Sequence, residues 1–344
     1  MTTLYLIRHG EAEGNRYRRC HGQYDSTITD NGYRQIAALA RRMEGVPIDA
    51  AYSSDLTRTQ TTALAVTRTH GLTLRLEPRL REVGVGVWED KTWTWLGKFD
   101  TERLVAFNSD AQRWSVEGGE TMAAVRDRML AALRDIVAAH PNQSVAVVSH
   151  GMALRTLVGT LNGLTMPEID KTGHAENTAV TKLEADGRGI RVVWQNDASH
   201  LTEEMTTLHK QLWTKSKGGL EPGIWFAPDD AAGRFAVLCE DARVGTVAVG
   251  AMEGGVAEIA ELRLDEEMRR RNLGVRLVGQ AVSYARAHGC DTLRAEPPKG
   301  DALAARRLSE YGFTPDGGAW VKYIGYDEAY RVRRFDEELD KIKK

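Results

Sequence analysis

The feature that most constrains the fold is a short apolar run near the start of the chain that ends directly in a polar tripeptide. Residues Leu4–Ile7 are all apolar, as in a strand that is buried on both faces of a sheet. Arg8-His9-Gly10 follows at once. In open α/β sheets ligands bind beyond the carboxyl ends of the strands, so this order predicts a guanidinium, an imidazole and a glycine backbone at the mouth of a pocket.

These three residue types suit a phosphate group. The planar guanidinium of Arg8 can hold two oxygens, Gly10 lets the backbone approach closely, and a neutral His9 has a nucleophilic nitrogen near pH 7. Taken alone, the tripeptide is equally compatible with a strand that ends in an ordinary His-Gly turn, because short motifs often occur by chance. Other motifs in the chain are needed to distinguish a phosphate site from an ordinary turn.

Length and charge set the outer limits. A chain of 344 residues exceeds the usual single core and predicts two domains. Its 46 basic and 48 acidic side chains give a net charge of -2, which favours neither nucleic acid nor an anionic membrane as a partner. There is no signal peptide pattern and no apolar run of transmembrane length, so we expect a cytoplasmic protein. Three cysteines, far apart, argue against a disulfide framework or a zinc site.

A second apolar run ends in the same way as the first. Residues Ser144–Val148 predict a buried strand, and Ser149-His150-Gly151 follows it. Two such strand ends can bring His9 and His150 to one edge of a sheet.

Two further side chains lie between these strand ends in the sequence. Arg58 lies in the first turns of a predicted helix, where it would add a charged fork to an anion site, although alone it is more typical of an exposed helix arginine. Glu82 is flanked by apolar residues and glycines, which would keep a carboxyl protonated long enough to donate to a leaving oxygen. A lone loop glutamate is more often simply solvated.

At this point the chain resembles the histidine phosphatase superfamily, also called phosphoglycerate mutase-like. The resemblance covers residues 1–200. It rests on motifs in a fixed order: Arg8–Glu11, Asn15, Leu56–Ala63, Leu80–Asp90, Gly118–Thr121, Val147–Gly151 and Asn177–Val180.

The resemblance implies a role for each matching residue. His9 would be the nucleophile that becomes phosphohistidine, and Glu82 the acid that protonates the leaving oxygen and later helps water to attack. Arg8, Arg58 and His150 would hold the phosphoryl oxygens, and Asn15 would assist in substrate binding. Two arginines and a second imidazole can stabilise the transferred group without a metal, so no metal site is expected.

A phosphoglycerate mutase is the alternative within this resemblance. A mutase would have to shield the phosphohistidine from water and return the phosphoryl group to a sugar acid. The interval from Glu82 to His150 looks like that of the shorter phosphatases, since the cofactor-dependent mutases carry more chain there. A phosphatase that acts on a small phosphorylated metabolite is therefore favoured.

The composition changes after His200. Residues Leu201–Trp213 read as a helix, and the Gly- and Lys-rich stretch Thr214–Gly223 as a linker. Strands are predicted at Arg234–Cys239, Val244–Val249 and Val256–Leu264. A basic loop and a helix follow the last of these strands, and successive backbone N–H groups at such a helix start form a nest for a pyrophosphate.

This strand-loop-helix resembles the acyl-CoA-binding motif of the GNAT N-acyltransferases, over residues 225–325. The resemblance implies acetyl-CoA as cofactor and a small amine as acceptor. The implied cofactor-binding residues are Leu262, Leu264, Arg269, Arg270, Arg271, Asn272, Leu273, Gly274 and Val275. A basic loop before a helix is also common as a purely structural feature.

The chain departs from the GNAT pattern at three positions. Asn272 stands where the first loop glycine is usual, which is tolerable because asparagine accepts positive φ. Leu308 stands where a tyrosine acid is frequent, and Asp301 replaces a frequent asparagine. Acetyl-CoA binding is thus better supported than acetyl transfer. Glu258 or Glu261 could act as base, but exposed strand glutamates are the commoner explanation.

The predicted architecture is therefore α/β throughout. A three-layer α/β/α phosphoglycerate mutase-like domain occupies residues 1–200, followed by a helix and linker over 201–224. A mixed α+β GNAT-like domain follows over 225–325, and a charged helix over 326–344, on the surface or facing a partner. The sequence leaves open the phosphoester, the acetyl acceptor, a catalytically inactive second domain, coupling between the sites and assembly as a homo-oligomer.

Overall fold

A computed structural model describes residues 1–211, 214, 220, 223–298 and 300–343, and its strands form two sheets. The strands of the first sheet are β1 (Thr2–Arg8), β2 (Ala50–Ser53), β3 (Leu74–Leu76), β4 (Ser144–Ser149), β5 (Val180–Asp186) and β6 (Gly189–Asp197). The helices of the same region are α1 (Glu13–Tyr17), α2 (Asp30–Met43), α3 (Thr57–His70), α4 (Trp93–Phe99), α5 (Thr101–Ser109), α6 (Met122–Ala139) and α7 (Gly151–Leu161).

The order of strands in this sheet brings the two His-Gly ends together. The order is β3-β2-β4-β1-β5-β6, and β1 runs parallel to β4 with Arg8 paired to Ser149. Because parallel neighbours end at the same edge, the residues that follow each strand lie side by side. The backbone N–H of His9 donates to the carbonyl oxygen of Ser149 at 3.0 Å.

Helices cover both faces of the first sheet, as predicted. Leu4 and Leu6 point to one face, where they join the core formed with α6 and α7. Ile7 points to the other face, where it joins the core formed with α2 and α3. The apolar run of β1 is continuous because each of its faces has a helical layer to pack against.

The second sheet is mixed, and its helices follow the predicted order. Its strands are β7 (Trp225–Pro228), β8 (Arg234–Cys239), β9 (Ala242–Glu253), β10 (Val256–Leu264), β11 (Thr292–Ala295), β12 (Thr314–Asp316) and β13 (Ala319–Tyr323). The helices of this region are α8 (Glu266–Arg270), α9 (Gly274–Ala287), α10 (Ala302–Glu310) and α11 (Glu328–Lys343).

The centre of the second sheet is a short parallel pair. The strand order is β12-β13-β11-β10-β9-β8-β7, in which β10 and β11 pair in parallel from Val256 to Ile259. The pairing of β10 with β9 shifts register on either side of Ile259. β11 ends at Ala295, opposite Ile259, whereas β10 continues to Leu264 and leads into α8 and α9.

The segment after His200 differs from its prediction as a helix over Leu201–Trp213. The described part contains short 3₁₀ turns at Glu203–Met205 and Leu208–Lys210 instead. Backbone N–H groups of this segment, including that of Leu208, donate to the Glu176 carboxylate rather than along a helix. Most of the predicted linker, Thr214–Gly223, lies outside the described residues.

The C-terminal helix α11 lies on the surface, which is one of the two expected alternatives, and packs one side on the first domain. Phe335 is wholly buried in the core that α2 and α3 share. Arg334 pairs with Asp30 at 2.6 Å, and Arg68 pairs with Asp336 at 3.0 Å. The chain that follows the second domain is therefore anchored to the first. None of the described helices combines the length and apolar character needed to cross a bilayer.

Candidate active site

The two predicted histidines meet at the carboxyl ends of β1 and β4. The ring centroids of His9 and His150 are 5.3 Å apart, with an interplanar angle of 57°. Both side chains are buried, with exposed fractions of 6% and 0%. Two rings at this separation can contact the same tetrahedral anion.

The hydrogen bond of His9 fixes its tautomer. Nδ1 lies 2.7 Å from the carbonyl oxygen of Gly10. A carbonyl can only accept, so Nδ1 carries the proton and Nε2 keeps its lone pair. Burial, followed by the positive charges of Arg58 and Arg8, holds the pKa of His9 well below its ordinary value. The imidazole is therefore neutral and nucleophilic at physiological pH.

His150 is held from the opposite side. Its Nε2 forms a 2.7 Å hydrogen bond with the hydroxyl of Ser54, which follows β2. Its Nδ1 is buried and has no hydrogen-bond partner among the described residues. Burial and the charge of Arg58 place the pKa of His150 well below the usual range. A buried ring nitrogen without a partner is available to a ligand.

Both predicted arginines are buried and anchored by backbone carbonyls. Arg8 donates to the carbonyl of Ala175 at 2.5 Å, while its buried Nε has no partner among the described residues. Arg58 donates to the carbonyls of Tyr24 and Gly22 at 2.9 and 2.6 Å. Two fixed, largely buried guanidinium groups are strong ligands for phosphoryl oxygens.

Glu82 lies at the same site, in surroundings other than those predicted. Its carboxylate accepts hydrogen bonds from the backbone N–H groups of Met152, Ala153 and Val83 at 3.0, 2.8 and 3.0 Å. The carboxylate thus lies on the N-terminal end of α7, just after His150, rather than among apolar side chains. The glutamate is also buried, with 9% exposure, and is not a solvated loop residue.

Asn15 lies on α1 and completes the predicted set. Its Oδ1 accepts from the backbone N–H of Ala12 at 3.0 Å and from the side chain of Asn177 at 3.4 Å. With the oxygen occupied in this way, the amide NH₂ is the group that remains for a ligand.

One cavity lies against the predicted site residues. Five of the six line it: Arg8, His9, Asn15, Arg58 and Glu82. The sixth, His150, does not, but the residue that follows it, Gly151, does. Its outer wall combines apolar and polar side chains, Val85, Trp93, Phe107, Met152, Leu208, Arg18, Asn108 and Gln211. Within the part of the chain that the structure describes, no cluster of three or more His, Cys, Asp or Glu could hold a metal ion.

Comparison with known proteins identifies the family. The family model of the histidine phosphatase superfamily (branch 1) matches residues 4–198. The chain belongs to the histidine phosphatase superfamily. The model of the acetyltransferase (GNAT) family matches residues 198–313. The predicted fusion of a histidine phosphatase domain with a GNAT domain is therefore confirmed.

Several relatives of the histidine phosphatase domain carry a mutase name. One is the protein named probable phosphoglycerate mutase GpmB of Cronobacter sakazakii, 38% identical over 167 residues, which cover 48% of this chain and 76% of that protein. The protein of the same name from Erwinia tasmaniensis is 31% identical over 208 residues, with 59% and 96% coverage.

Similar solved structures include proteins that carry a phosphatase name. Bacillus stearothermophilus YhfR is 32% identical with a TM-score of 0.57, covering 58% of this chain and 99% of that one. Mycobacterial glucosyl-3-phosphoglycerate phosphatase, in a complex with VO3, is 28% identical with a TM-score of 0.54, covering 56% and 98%. Enzymes of this family are phosphatases or mutases, as the names of these proteins illustrate.

Some residues of this histidine phosphatase site were not singled out from the sequence. Arg128 on α6 donates to the carbonyls of Arg79, Arg81 and Glu82 at 2.7, 2.7 and 2.9 Å, so it holds the loop that carries Glu82. Asn177 donates to the carbonyl of His9 at 2.9 Å. Their contacts are with backbone from distant parts of the chain, and a single sequence gives no signal for these. Only Asn177 lies within a predicted motif.

Two additional histidines border the cavity. His21 contacts Asp90 through Nε2 at 3.0 Å, and burial lowers its pKa despite that carboxylate. His174 also lines the cavity but is exposed. The neutral ring of His21 adds no charge at pH 7, so the cations of the site are its arginines.

In the GNAT domain, the predicted loop has the expected backbone but exposed side chains. Asn272 has φ of 56°, in the left-handed region that asparagine tolerates. Arg269, Arg270 and Arg271 are exposed, whereas Leu264, Leu273 and Val275 are buried in the second core. Arg270 pairs with Glu266, and Nη1 of Arg271 contacts the sulfur of Met268 at 3.6 Å.

The neighbourhood of this loop bears on acetyl transfer. Leu308 is buried in the second core, so α10 presents no hydroxyl at that position. A Cβ on Gly274 would lie 2.1 Å from the hydroxyl oxygen of Tyr311, so this glycine is needed for Tyr311 to pack there. Glu258 pairs with Arg294 at 2.8 Å and Glu261 with Arg234 at 3.2 Å, so both carboxylates already have ion-pair partners.

Proposed function

We propose that residues 1–200 form a metal-independent phosphomonoester hydrolase that works through phosphohistidine, and that residues 225–325 form an acetyl-CoA-binding domain. The observation that carries the first proposal is the state of His9. Its Nδ1 proton is committed to Gly10, so a lone pair remains on Nε2 in a cavity bordered by Arg8 and Arg58. This is the arrangement of a nucleophile beside two anion ligands.

The reaction consists of two displacements at phosphorus. In the first, His9 Nε2 forms a bond to phosphorus while the ester P–O bond breaks, and the leaving oxygen takes a proton from Glu82, which enters this step as the carboxylic acid and leaves it as the carboxylate. In the second, water attacks phosphorus, its proton passes to Glu82, and the P–N bond breaks to release phosphate. Arg8, Arg58 and His150 stabilise the charge on the three non-bridging oxygens in both transition states.

The outer wall of the cavity indicates the substrate class. Trp93, Phe107 and Met152 give the wall apolar surface, and Asn108 and Gln211 give it polar surface. A small phosphorylated metabolite with both polar and apolar parts fits this wall. Steady-state phosphate release from p-nitrophenyl phosphate, followed by a screen of phosphorylated metabolites, tests the proposal, and absence of release by the folded chain overturns it.

A phosphoglycerate mutase is the second candidate, because proteins with that name are 31–38% identical to this domain. The short interval from Glu82 to His150 favours the hydrolase. Addition of 3-phosphoglycerate with a 2,3-bisphosphorylated glycerate primer separates the two: a mutase isomerises the substrate, whereas the hydrolase releases phosphate without isomerisation.

Acetyl-CoA binding is proposed at the loop Arg269–Val275, with Leu262 and Leu264 on β10 beside it. Support comes from the order of strand β10, basic loop and helix α9, which begins at Gly274, and from the extension of β10 beyond the end of β11. Titration calorimetry with acetyl-CoA tests binding, and a panel of amines tests transfer. Binding without acetylation would identify a ligand-binding module, which the burial of Leu308 favours.

A further inference from the structure

Helix α9 of the GNAT domain packs against the loop that forms one wall of the phosphatase cavity. This wall loop consists of α1 and the residues that follow it, 13–22, and it supplies Asn15, Arg19 and His21 to the cavity. On α9, Gly279, Ser283 and Arg286 are spaced so that they share one face, and this face contacts the wall loop. The opposite face of α9 packs on the second sheet.

The first contact is an ion pair between the domains. Arg286 donates to both carboxylate oxygens of Glu13, at 2.8 and 3.1 Å. The side chains are 11% and 3% exposed, so the pair is nearly dry. Arg286 also donates to the carbonyl of Ile324 at 2.6 Å, and Glu13 accepts from the backbone N–H of Thr27 at 3.1 Å. The pair therefore ties the start of α1 to the second sheet.

The second contact lies at the other end of the wall loop. Arg19 pairs with Asp90 and also donates to Gln280 at 3.1 Å and to Ser283 at 3.3 Å. The Ser283 hydroxyl in turn donates to Asp90, whose other oxygen contacts His21 at 3.0 Å. Two side chains of α9 thus hold the group that orients Arg19 and His21.

The third contact is apolar and leaves no space. Tyr17, the last residue of α1, is 3% exposed and belongs to the core of the GNAT domain rather than to that of its own domain. A Cβ on Gly279 would lie 2.5 Å from the Cβ of Tyr17. Helix α1 can therefore lie where it does only because α9 has a glycine at this point.

We propose that α9 of the GNAT domain positions the wall of the phosphatase cavity, and that Arg286 and Gly279 are positioning residues for the phosphatase reaction. This inference rests on the proposed hydrolase function. The nucleophile and the acid belong wholly to the first domain, whereas the wall loop that carries Asn15, Arg19 and His21 is held in part by the second, through Glu13, Tyr17 and Arg19. The GNAT domain is in this sense part of the phosphatase site, whatever ligand it binds itself.

Variants of the full chain at the ion pair give the first test. We expect Arg286→Met to raise the KM for p-nitrophenyl phosphate about tenfold, because misplacement by a fraction of an ångström already weakens a positioned site. Arg286→Lys keeps the charge and should recover part of the loss. The matched control is Arg68→Met, which breaks the exposed ion pair with Asp336 between the domains and should leave KM unchanged.

A methyl group added at Gly279 gives the second test. Gly279→Ala should raise KM and the Kd for orthovanadate, measured by calorimetry, by about tenfold as α1 is displaced. Gly250→Ala is the control, since its added Cβ meets Ala260 and the carbonyl oxygen of Glu258 at ordinary distances of 3.5 and 3.7 Å. An irreversibly misfolded fraction lowers apparent kcat but changes neither KM nor Kd, and a reversibly unfolded fraction is measured by circular dichroism and divided out of both constants. The corrected KM and Kd therefore separate positioning from simple destabilisation.

The outcomes decide the inference whether or not the hydrolase proposal holds. Native-like KM and vanadate affinity in both Arg286→Met and Gly279→Ala would overturn the positioning role. If the native chain binds vanadate but hydrolyses no phosphoester, the hydrolase proposal fails while the vanadate comparison still decides this one.

Discussion

The two candidate sites differ in what holds their charged residues. In the phosphatase site Arg8 and Arg58 are 8% and 2% exposed, and each donates to backbone carbonyls. In the GNAT loop Arg269, Arg270 and Arg271 are exposed. A buried cation that is fixed by the backbone has few conformations to lose when an anion binds, whereas an exposed one is solvated and must be ordered by its ligand.

This difference teaches how far a motif can be taken as evidence of chemistry. A buried arginine or histidine costs folding free energy unless something compensates it, so its presence in a cavity needs an explanation that a phosphate supplies. Exposed arginines before a helix cost nothing and need no ligand to account for them. Substitutions in the two sites test this contrast between buried and exposed cations.

The largest expected effect is that of the nucleophile. His9→Ala should lower phosphate release from p-nitrophenyl phosphate by at least about 10³-fold, because no other group in the site can take its covalent role. Phosphate release by the purified variant measures the loss. Incubation of the native chain with a ³²P-labelled substrate should label the protein in an acid-labile form, and the variant should remain unlabelled.

His140→Ala is the matched control for this substitution. His140 is also buried, at 6% exposure, but it precedes β4 and contacts Tyr52 and Gln143 away from the cavity. The control should lose stability and keep its activity. Appreciable turnover by His9→Ala would remove His9 from its role.

Much of the first domain and its site follows from the sequence because the constraints are local. The apolar runs Leu4–Ile7 and Ser144–Val148 predict buried strands, and the residues that follow each run then lie at one sheet edge. His9 and His150 accordingly lie side by side. The surroundings of Glu82 could not be predicted, because its hydrogen-bond donors belong to α7, which is about 70 residues away in sequence.

The features that could not be predicted have the same physical cause. After His200 the chain forms 3₁₀ turns whose backbone N–H groups donate to the Glu176 carboxylate. Helix α11 packs on the core of α2 and α3. Contacts between the domains, such as Glu13 with Arg286, leave no pattern in either stretch of sequence. Apolar periodicity reports which face of an element is buried, but not which partner covers it.

The second prediction concerns the acid and depends on the leaving group. Glu82→Gln should slow hydrolysis of an alkyl phosphate by about 10²-fold, because the alkoxide needs a proton as it leaves. Hydrolysis of p-nitrophenyl phosphate should fall much less, since nitrophenolate leaves without one. The ratio of the two kcat values measures the effect. Equal losses on both substrates would assign Glu82 to the support of α7 rather than to proton transfer.

The third prediction uses the neutral histidines of the first domain. His9, His21, His150 and His200 all have pKa values below the ordinary 6.5, chiefly through burial. Below pH 6.5 these histidines bind protons in the unfolded chain but not in the folded chain. The stability that depends on the neutral histidines is therefore present above that pH and is lost as the pH falls. Each histidine should lower the unfolding free energy by about 1.4 kcal/mol per pH unit below 6.5.

Urea unfolding at pH 7, 6 and 5 measures this slope. A His200→Asn variant should reduce the slope by about one histidine's share, since the pKa of His200 is lowered to about 4. An unchanged slope in that variant would mean that His200 is protonated in the folded chain, in conflict with its lowered pKa. His288→Asn, at an exposed position on the GNAT domain, is the control.

The smallest expected effect is that of a loop arginine on acetyl-CoA binding. Arg271→Ala should weaken the affinity about two- to fivefold, since an exposed cation contributes up to about 1 kcal/mol, and the loss should shrink as salt is added. Calorimetry at low and high salt measures both effects, with Arg306→Ala on α10 as the exposed control. A loss of a hundredfold or more would show that the ligand buries this guanidinium, and the contrast between the two sites would then disappear on binding. Absence of any binding by the native chain at millimolar acetyl-CoA would leave the loop as structure alone, in line with the fit of Tyr311 against Gly274.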